Sequence, residues 1–321
     1  MSSQPVPGPV GRPRGRRLPA IFRYEGWQGL IFIAPAVVLL GGLVAYPLVW
    51  TIVYSFGDTN SKLDIVRWVG LDNYERLFTK DKVFLDRDVF PPDGALVNNL
   101  KWGVLYTTFS LAFGLLIAIL AARVRYESLV KAVIFVPMAI AATAIAIIWK
   151  LVYEPDPDLG VANAVATGVL NTDPIVFLGR ADTVNYAIIF AYVWASTGFA
   201  MVVLSAALKG IPEEIIEAAR TDGANEWNIF RRIQFPLLSL PMAVVTVWLT
   251  INVIKLFDVI YVMTRGGPGT SSEVIATQMY DETFLNGEGG YGAAIAVVML
   301  LLILPLMAYN VSRFRTERVV T

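Results

Sequence analysis

The chain has 321 residues, of which 56% are hydrophobic and 16% are charged, whereas soluble domains carry about 25% charged residues. The mean hydropathy of +0.59 predicts an integral membrane protein. Neither Cys nor His is present, which excludes disulfides and any thiol- or imidazole-based catalytic or metal site. Lys plus Arg equals Asp plus Glu at 26 each, so the charge balance gives no indication of nucleic-acid binding.

The N-terminal segment, residues 1–28, is rich in Pro, Gly and Arg and poor in large apolar residues. This composition predicts a disordered basic tail. The apolar segment that follows is longer than the core of a signal peptide and shows no small-residue cleavage site. We therefore expect the first helix to be retained in the mature protein.

Six apolar segments are long enough to cross a bilayer, which takes about 20 helical residues. They are Gly29–Phe56, Val97–Ala122, Leu129–Val152, Val184–Leu208, Leu237–Met263 and Tyr291–Val311. The pattern predicts an all-α membrane protein with a six-helix domain over residues 29–313 and a short tail over residues 314–321.

The distribution of Lys and Arg predicts the orientation of these helices. Basic residues outnumber acidic ones in the N-terminus, in the turn at Arg123–Lys131 and at the C-terminus, and residues 210–236 carry further Arg. Acidic residues predominate in the connections 57–96, 153–183 and 264–290. We therefore expect both termini, and the segment 210–236, to be cytoplasmic.

The acidic connections contain local signals of their own. Trp68–Phe78 predicts a short interfacial helix with Tyr74, Leu77 and Phe78 on one face. A turn is predicted at Gly266–Gly269, and a second short helix over Glu273–Phe284.

A polar island lies between the fourth and fifth apolar segments. Pro212 followed by two Glu residues is a helix-start signal, because acids are favourable in the first turn of a helix. Gly223 separates two short runs of helical periodicity, where a turn requires a positive φ. The island predicts a helix-turn-helix on the membrane surface with an apolar face open to a partner; an ordinary amphipathic loop is the alternative.

Charged residues within apolar segments are functional candidates by default, because an ionised group is costly in hydrocarbon. Lys255 and Asp258 are three residues apart in the fifth segment and would share a helix face, with Asn252 one turn earlier. We favour a structural ion pair over a polar group on a translocation path. Weaker candidates for such a path are Trp194, Tyr309 and Asn310.

Several kinds of chemistry have no motif in this chain. A phosphate-binding loop would need a Gly-Lys pair, which the sequence lacks. We expect no catalytic residue, no metal site and no cofactor on this chain. An ion-coupled secondary transporter is an alternative, supported by the intramembrane charges; a membrane-embedded enzyme is a weaker one.

The polar island closely resembles the EAA motif of the permease subunits of binding-protein-dependent ABC importers. The matching residues are Glu217, Ala218, Ala219, Asp222, Gly223, Ala224 and Pro236. Phe257-Asp258 and Thr264 to Pro268 also fit this family, and Arg123–Ser128 is similar to its α-glucoside branch. The segment Thr79–Leu96 departs from the pattern.

This resemblance implies a sugar importer of the maltose type in the inner membrane of a bacterium or archaeon. It implies a second permease, two ATPase subunits that hold ATP and Mg, and an extracytoplasmic sugar-binding protein. The seven island residues would then contact the ATPase, and the chain itself would have no enzymatic activity.

Overall fold

The computed structural model describes residues 26–60, 62 and 64–317, with the backbone alone at residues 26–30, 310, 311 and 313–317. Residues 1–25 of the predicted basic tail lie outside the described residues, as do the last four residues of the predicted C-terminal tail. Residues 26–28, predicted as part of the disordered segment, already belong to the first helix.

The chain divides into two units, residues 1–50 and 51–321. The first unit contains helix α1 (Gly26–Leu40), a π-helical turn (Gly41–Ala45) and the start of α2 (Tyr46–Tyr54). Residues 31–54 are apolar and long enough to cross a membrane. All side chains from residue 31 to residue 50 are exposed, as expected for a helix that contacts lipid or another subunit.

The second unit is mostly helical. Its elements are β1 (Gly57–Thr59), β2 (Ile65–Trp68), α3 (Asp72–Thr79), α4 (Ala95–Ala121), α5 (Glu127–Phe135), α6 (Ala142–Val152), α7 (Val161–Gly168), α8 (Val184–Lys209), α9 (Glu213–Thr221), α10 (Glu226–Ile229), α11 (Phe235–Leu237), α12 (Ser239–Ile254), α13 (Asp258–Met263), α14 (Ile275–Tyr280) and α15 (Gly289–Glu317).

The predicted six-span architecture is confirmed, although two spans are bent. Four helices are long and apolar enough to cross a membrane by themselves, and two bent pairs bring the number to six in the described part of the chain. The third span bends by 100° between residues 127–139 and 142–152, and the fifth bends by 64° between residues 226–237 and 239–254. The first bend follows a short 3₁₀ turn that contains Pro137, which cannot donate a backbone hydrogen bond.

The predicted fifth span, Leu237–Met263, is interrupted. Helix α12 ends at Ile254 and α13 begins at Asp258, so that Lys255, Leu256 and Phe257 lie between two helices. The prediction of one continuous helix was therefore wrong over these residues.

Helices α4 and α8 form the centre of the bundle. A Cβ atom at Gly114 of α4 would stand 2.5 Å from the Cβ of Ala200 on α8, so the glycine permits a very close approach. Further along the contact, the Tyr106 ring stacks on Tyr192 with 5.1 Å between centroids. The Tyr106 hydroxyl lies 2.9 Å from Ser196 Oγ, so the polar atom of this buried ring has a partner.

Three connections lie at one end of the spans, which we call the hairpin end (residues 57–94, 153–183 and 255–288). The first and third are in contact, because Gln278 Nε2 donates to Asp81 Oδ2 at 2.7 Å. The antiparallel strands β1 and β2 pair Asp58 with Arg67. Helix α3 confirms the predicted short helix: Leu77 is fully buried, and the Tyr74 hydroxyl lies 2.6 Å from Ser55 Oγ. The second predicted short helix is present as α14 followed by a π-helical turn.

Candidate coupling loop and polar pocket

The polar island forms the predicted pair of short helices at the opposite end of the spans. Helix α9 begins directly after Pro212, because the backbone of Pro212 is extended (ψ 131°) and not helical. Glu213 and Glu214 occupy its first turn and Arg220 its last, the arrangement that the helix dipole favours.

Gly223 ends α9 in a Schellman turn. Its own amide donates to the carbonyl of Arg220 at 3.0 Å, and the amide of Ala224 donates to that of Ala219 at 3.0 Å. This pattern requires a left-handed residue after the helix, and Gly223 has a φ of 82°. No atom lies within 4 Å of a Cβ built there. The requirement for glycine therefore comes from backbone conformation and not from space.

Helix α10 begins immediately after this turn. The Asn225 side chain caps it by accepting from the amide of Asn228 at 2.8 Å. The Glu226 carboxylate then contacts Arg220 Nε at 3.1 Å and Arg123 Nη2 at 3.4 Å. One carboxylate thus links α9, α10 and the chain that follows α4.

Several predicted coupling residues face away from the bundle. Glu217, Ala218, Asp222, Gly223 and Pro236 are exposed, while Ala219 and Ala224 are half-buried. Neither the Glu217 nor the Asp222 carboxylate has a hydrogen bond or ion pair to any described residue.

The predicted apolar face is only partly open. Trp227 is 64% exposed, but Ile229 is buried and Phe230 packs with Met201 and Leu204 in the bundle. Phe230 is half-buried at the start of the π-helical turn at residues 230–234, so it does not belong to an open face.

A small polar cavity of about 190 Å³ lies beside the interruption between α12 and α13. It is lined by Ala142, Tyr192, Asn252, Lys255, Leu256, Phe257, Asp258 and Val259. The Asn252 amide donates to the Trp248 carbonyl at 2.8 Å, and its side-chain oxygen has no hydrogen bond to a residue that the structure describes. The structure therefore brings Asn252, Lys255 and Asp258 together in one site.

The predicted ion pair between Lys255 and Asp258 is not formed. Both side chains are exposed within the chain, and neither has a hydrogen bond or ion pair to another residue that the structure describes. The prediction rested on a continuous helix face, and the interruption at residues 255–257 removes that face.

The weaker path candidates lie elsewhere. Trp194 lines a different, apolar groove together with Phe190 and Thr197. Tyr309 is 47% exposed near the end of α15, and the side chain of Asn310 lies outside the described residues. Neither Trp194 nor Tyr309 lines the polar cavity.

Sequence reasoning missed Tyr192, Ala142 and Phe257 as lining residues. Tyr192 shares a helical face with Ser196 and Phe199, spaced by four and seven residues. That face contacts α4 through Tyr106 and α12 through Trp248, whose ring lies 4.0 Å from that of Phe199. The spacing of Tyr192, Ser196 and Phe199 could therefore have predicted that this face of α8 is directed to the centre of the protein.

Comparisons with known proteins agree with this architecture. Residues 110–313 match the family described as binding-protein-dependent transport system inner membrane component. The osmoprotective compounds uptake permease GgtC of Synechocystis is 41% identical over 89% of this chain and 99% of its own. The α-glucoside transport system permease AglF of Rhizobium meliloti is 36% identical over 98% of this chain and 89% of its own.

A solved structure supports the fold. A chain of a bacterial importer of the polysaccharide alginate superposes with a TM-score of 0.74 at 22% identity, over 89% of this chain and 96% of that one. The protein therefore belongs to the inner membrane components of binding-protein-dependent transport systems: it is a multi-pass permease subunit of an ABC importer and not its ATPase.

Proposed function

We propose that this chain is one of two different permeases in an ATP-driven sugar importer, with an α-glucoside or another oligosaccharide as substrate. Support comes from the relatives, which are named for α-glucosides and for trehalose and maltose. One relative is named for osmoprotective compounds, so a small compatible solute is a second candidate substrate. Two ATPase subunits, which bind ATP and Mg, and an extracytoplasmic sugar-binding protein complete the complex.

The coupling loop, residues 210–236, is proposed to dock into the ATPase. The observation that carries this proposal is the Schellman turn at Gly223, which leaves the carboxylates of Glu217 and Asp222 exposed without partners in the described chain. Glu226 contacts Arg123 and Arg220, and so links the two short helices to the chain that follows α4. Closure of the ATPase would then move the spans as a rigid body.

The polar pocket at Asn252, Lys255 and Asp258 is proposed to line the translocation path. Polar side chains without partners are unusual among apolar spans, and an interrupted helix exposes backbone groups that can bind a solute. Sugars present hydroxyl groups that can both donate and accept, and this pocket offers an ammonium, a carboxylate and an amide.

The proposed orientation has both termini and the coupling loop in the cytoplasm, with the hairpin end outside. The permease domain is proposed to begin with α1 (Gly26–Leu40), three residues before the predicted start at 29, and to end with α15 (Gly289–Glu317), four residues after the predicted end at 313. An ion-coupled secondary transporter receives no support, because the family consists of components of binding-protein-dependent systems.

The test is reconstitution of the complex in proteoliposomes with maltose, trehalose and lactose as labelled probes. We expect uptake of at least one sugar that needs internal ATP and the loaded binding protein. Uptake that proceeds without ATP and follows an imposed ion gradient would contradict the proposal.

The docking of the coupling loop has its own test. Replacement of Trp227 by Ala should reduce the amount of ATPase that stays bound during purification. Replacement of Trp68, an exposed tryptophan at the hairpin end, by Ala should not.

A further inference from the structure

Two adjacent asparagines in the first turn of α4 bind different parts of the protein. Asn98 is fully buried, and its amide donates to the carbonyls of Ser271 at 3.1 Å and Glu273 at 2.9 Å. Asn99 is 8% exposed; its amide donates to the Val253 carbonyl at 2.9 Å. Its side-chain oxygen accepts from the amide of Ile275 at 2.8 Å.

The Val253 carbonyl lies at the interruption beside the polar pocket. In a continuous helix the amide of Phe257 would donate to it, but Phe257 lies beyond the end of α12. The amide of Leu256 reaches the same oxygen at 3.2 Å. Val253 is 2% exposed and lies in the main hydrophobic cluster, where an under-satisfied carbonyl is costly. Asn99 supplies a shorter hydrogen bond than Leu256 does, and the Lys255 amide at the end of α12 points to the same oxygen.

The Ile275 amide belongs to the first turn of α14, whose amides lack partners within the helix. Asn99 therefore satisfies one free group at the end of α12 and one at the start of α14, which are 22 positions apart in the sequence. Only a side chain with both a donor and an acceptor can do this, and a carboxamide provides both.

We propose that Asn99 is a positioning residue for transport: it holds the interruption of α12 in its unwound form and so fixes the pocket formed by Asn252, Lys255 and Asp258. This inference rests on the proposed role of that pocket in the translocation path. Asn99 is not among the residues that line the pocket. Its effect on a solute is therefore indirect, through the backbone of residues 253–257.

The test compares Asn99→Asp with Asn98→Asp in the purified complex. Each change keeps the shape of the side chain and removes its amide donor, but only Asn99 contacts α12. Hydrogen exchange should become roughly tenfold faster in a peptide covering residues 251–258 of Asn99→Asp, because the Val253 carbonyl loses its hydrogen bond from Asn99 and the backbone around it opens more often. In Asn98→Asp the increase should be confined to residues 270–274. Asn99→Ala, which adds no charge, should behave like Asn99→Asp.

Equal exchange at residues 251–258 in the wild type and both Asn99 variants would overturn the proposal, and so would an equal increase in Asn98→Asp. Uptake of maltose and lactose separates this result from the proposed function. Asn99→Asp and Lys255→Met should both raise the sugar concentration needed for half-maximal uptake. If exchange becomes faster in Asn99→Asp but the half-saturating sugar concentration is unchanged in Lys255→Met, the pocket does not bind the sugar. The structural role of the Asn99 contact would still hold in that case.

Discussion

The carboxylate of Glu273 packs directly against the backbone of Gly266, since a Cβ atom at position 266 would stand 1.7 Å from Glu273 Oε2. Gly266 also has a φ of 81°, so glycine is required there both by space and by backbone conformation. Glu273 is 6% exposed, and its Oε1 accepts from the Thr277 hydroxyl at 2.5 Å. Among the described residues, no Lys or Arg forms an ion pair with it.

Burial raises the pKa of Glu273 from 4.5 to about 7, and the nearby Asp281 adds to this effect. The folded state therefore keeps a proton that the unfolded state loses above pH 4.5. Stability from this group is fully present below pH 4.5 and is lost as the pH rises to about 7, a change of roughly 3 kcal/mol.

Replacement of Glu273 by Gln should remove this pH dependence. Gln can still accept from Thr277 but does not ionise. We expect the variant to unfold at a higher temperature than the wild type at pH 8 and at a similar temperature near pH 4.5, measured in detergent. Glu75→Gln, at an exposed ion pair with Lys80, is the control and should leave the pH profile unchanged. A pH profile of Glu273→Gln identical to the wild type would contradict the prediction.

Substitutions at Gly223 should follow backbone preference and not size. Val strongly disfavours a φ of 82°, whereas Asn tolerates it. We expect Gly223→Val to abolish sugar-stimulated ATP hydrolysis or to release the ATPase, with normal insertion in the membrane. Gly223→Asn should retain most of the activity, even though the Asn side chain is much larger than that of Gly. Equal loss in both variants would mean that the ATPase requires a small residue at this position.

The predicted orientation can be tested with single cysteines, because the chain has none of its own. Thr270 and Glu214 are both exposed and lie at opposite ends of the spans. A membrane-impermeant thiol reagent should label Thr270→Cys in intact cells, and should label Glu214→Cys only after the cells are opened. The reverse pattern would overturn the orientation.

The sequence was sufficient to predict the spans and the coupling loop because both depend on local signals. Apolar length defines the spans, and the loop combines a proline-acid helix start with a glycine turn; both are visible over a few neighbouring residues. Gly223 was predicted as a turn residue, and the structure gives it the left-handed φ that this role requires.

The interruption of α12 could not be predicted in this way. Lys255, Leu256 and Phe257 include neither Gly nor Pro, so nothing local marks the end of a helix. The side chain that donates to the Val253 carbonyl is Asn99, which is 154 residues away in the chain. Because a distant residue stabilises the break, helical spacing wrongly assigned Lys255 and Asp258 to one face.

The unpaired state of Lys255 and Asp258 leads to the last prediction. A buried ion pair loses stability when one partner is removed and recovers when both are. Without a pair, neither Lys255→Met nor Asp258→Asn should reduce the amount of assembled complex. Each should instead lower sugar uptake roughly tenfold, as when a hydrogen bond from a charged group to a ligand is lost.

The double variant separates the two possibilities. If both groups contact the solute, Lys255→Met with Asp258→Asn should transport no better than the poorer single variant. Lys150→Met serves as a control, because Lys150 is an exposed lysine at the end of α6 that does not line the pocket; its uptake should stay near that of the wild type. Reduced assembly in both single variants, restored in the double, would mean that the two charges pair within the assembled importer and that their role is structural.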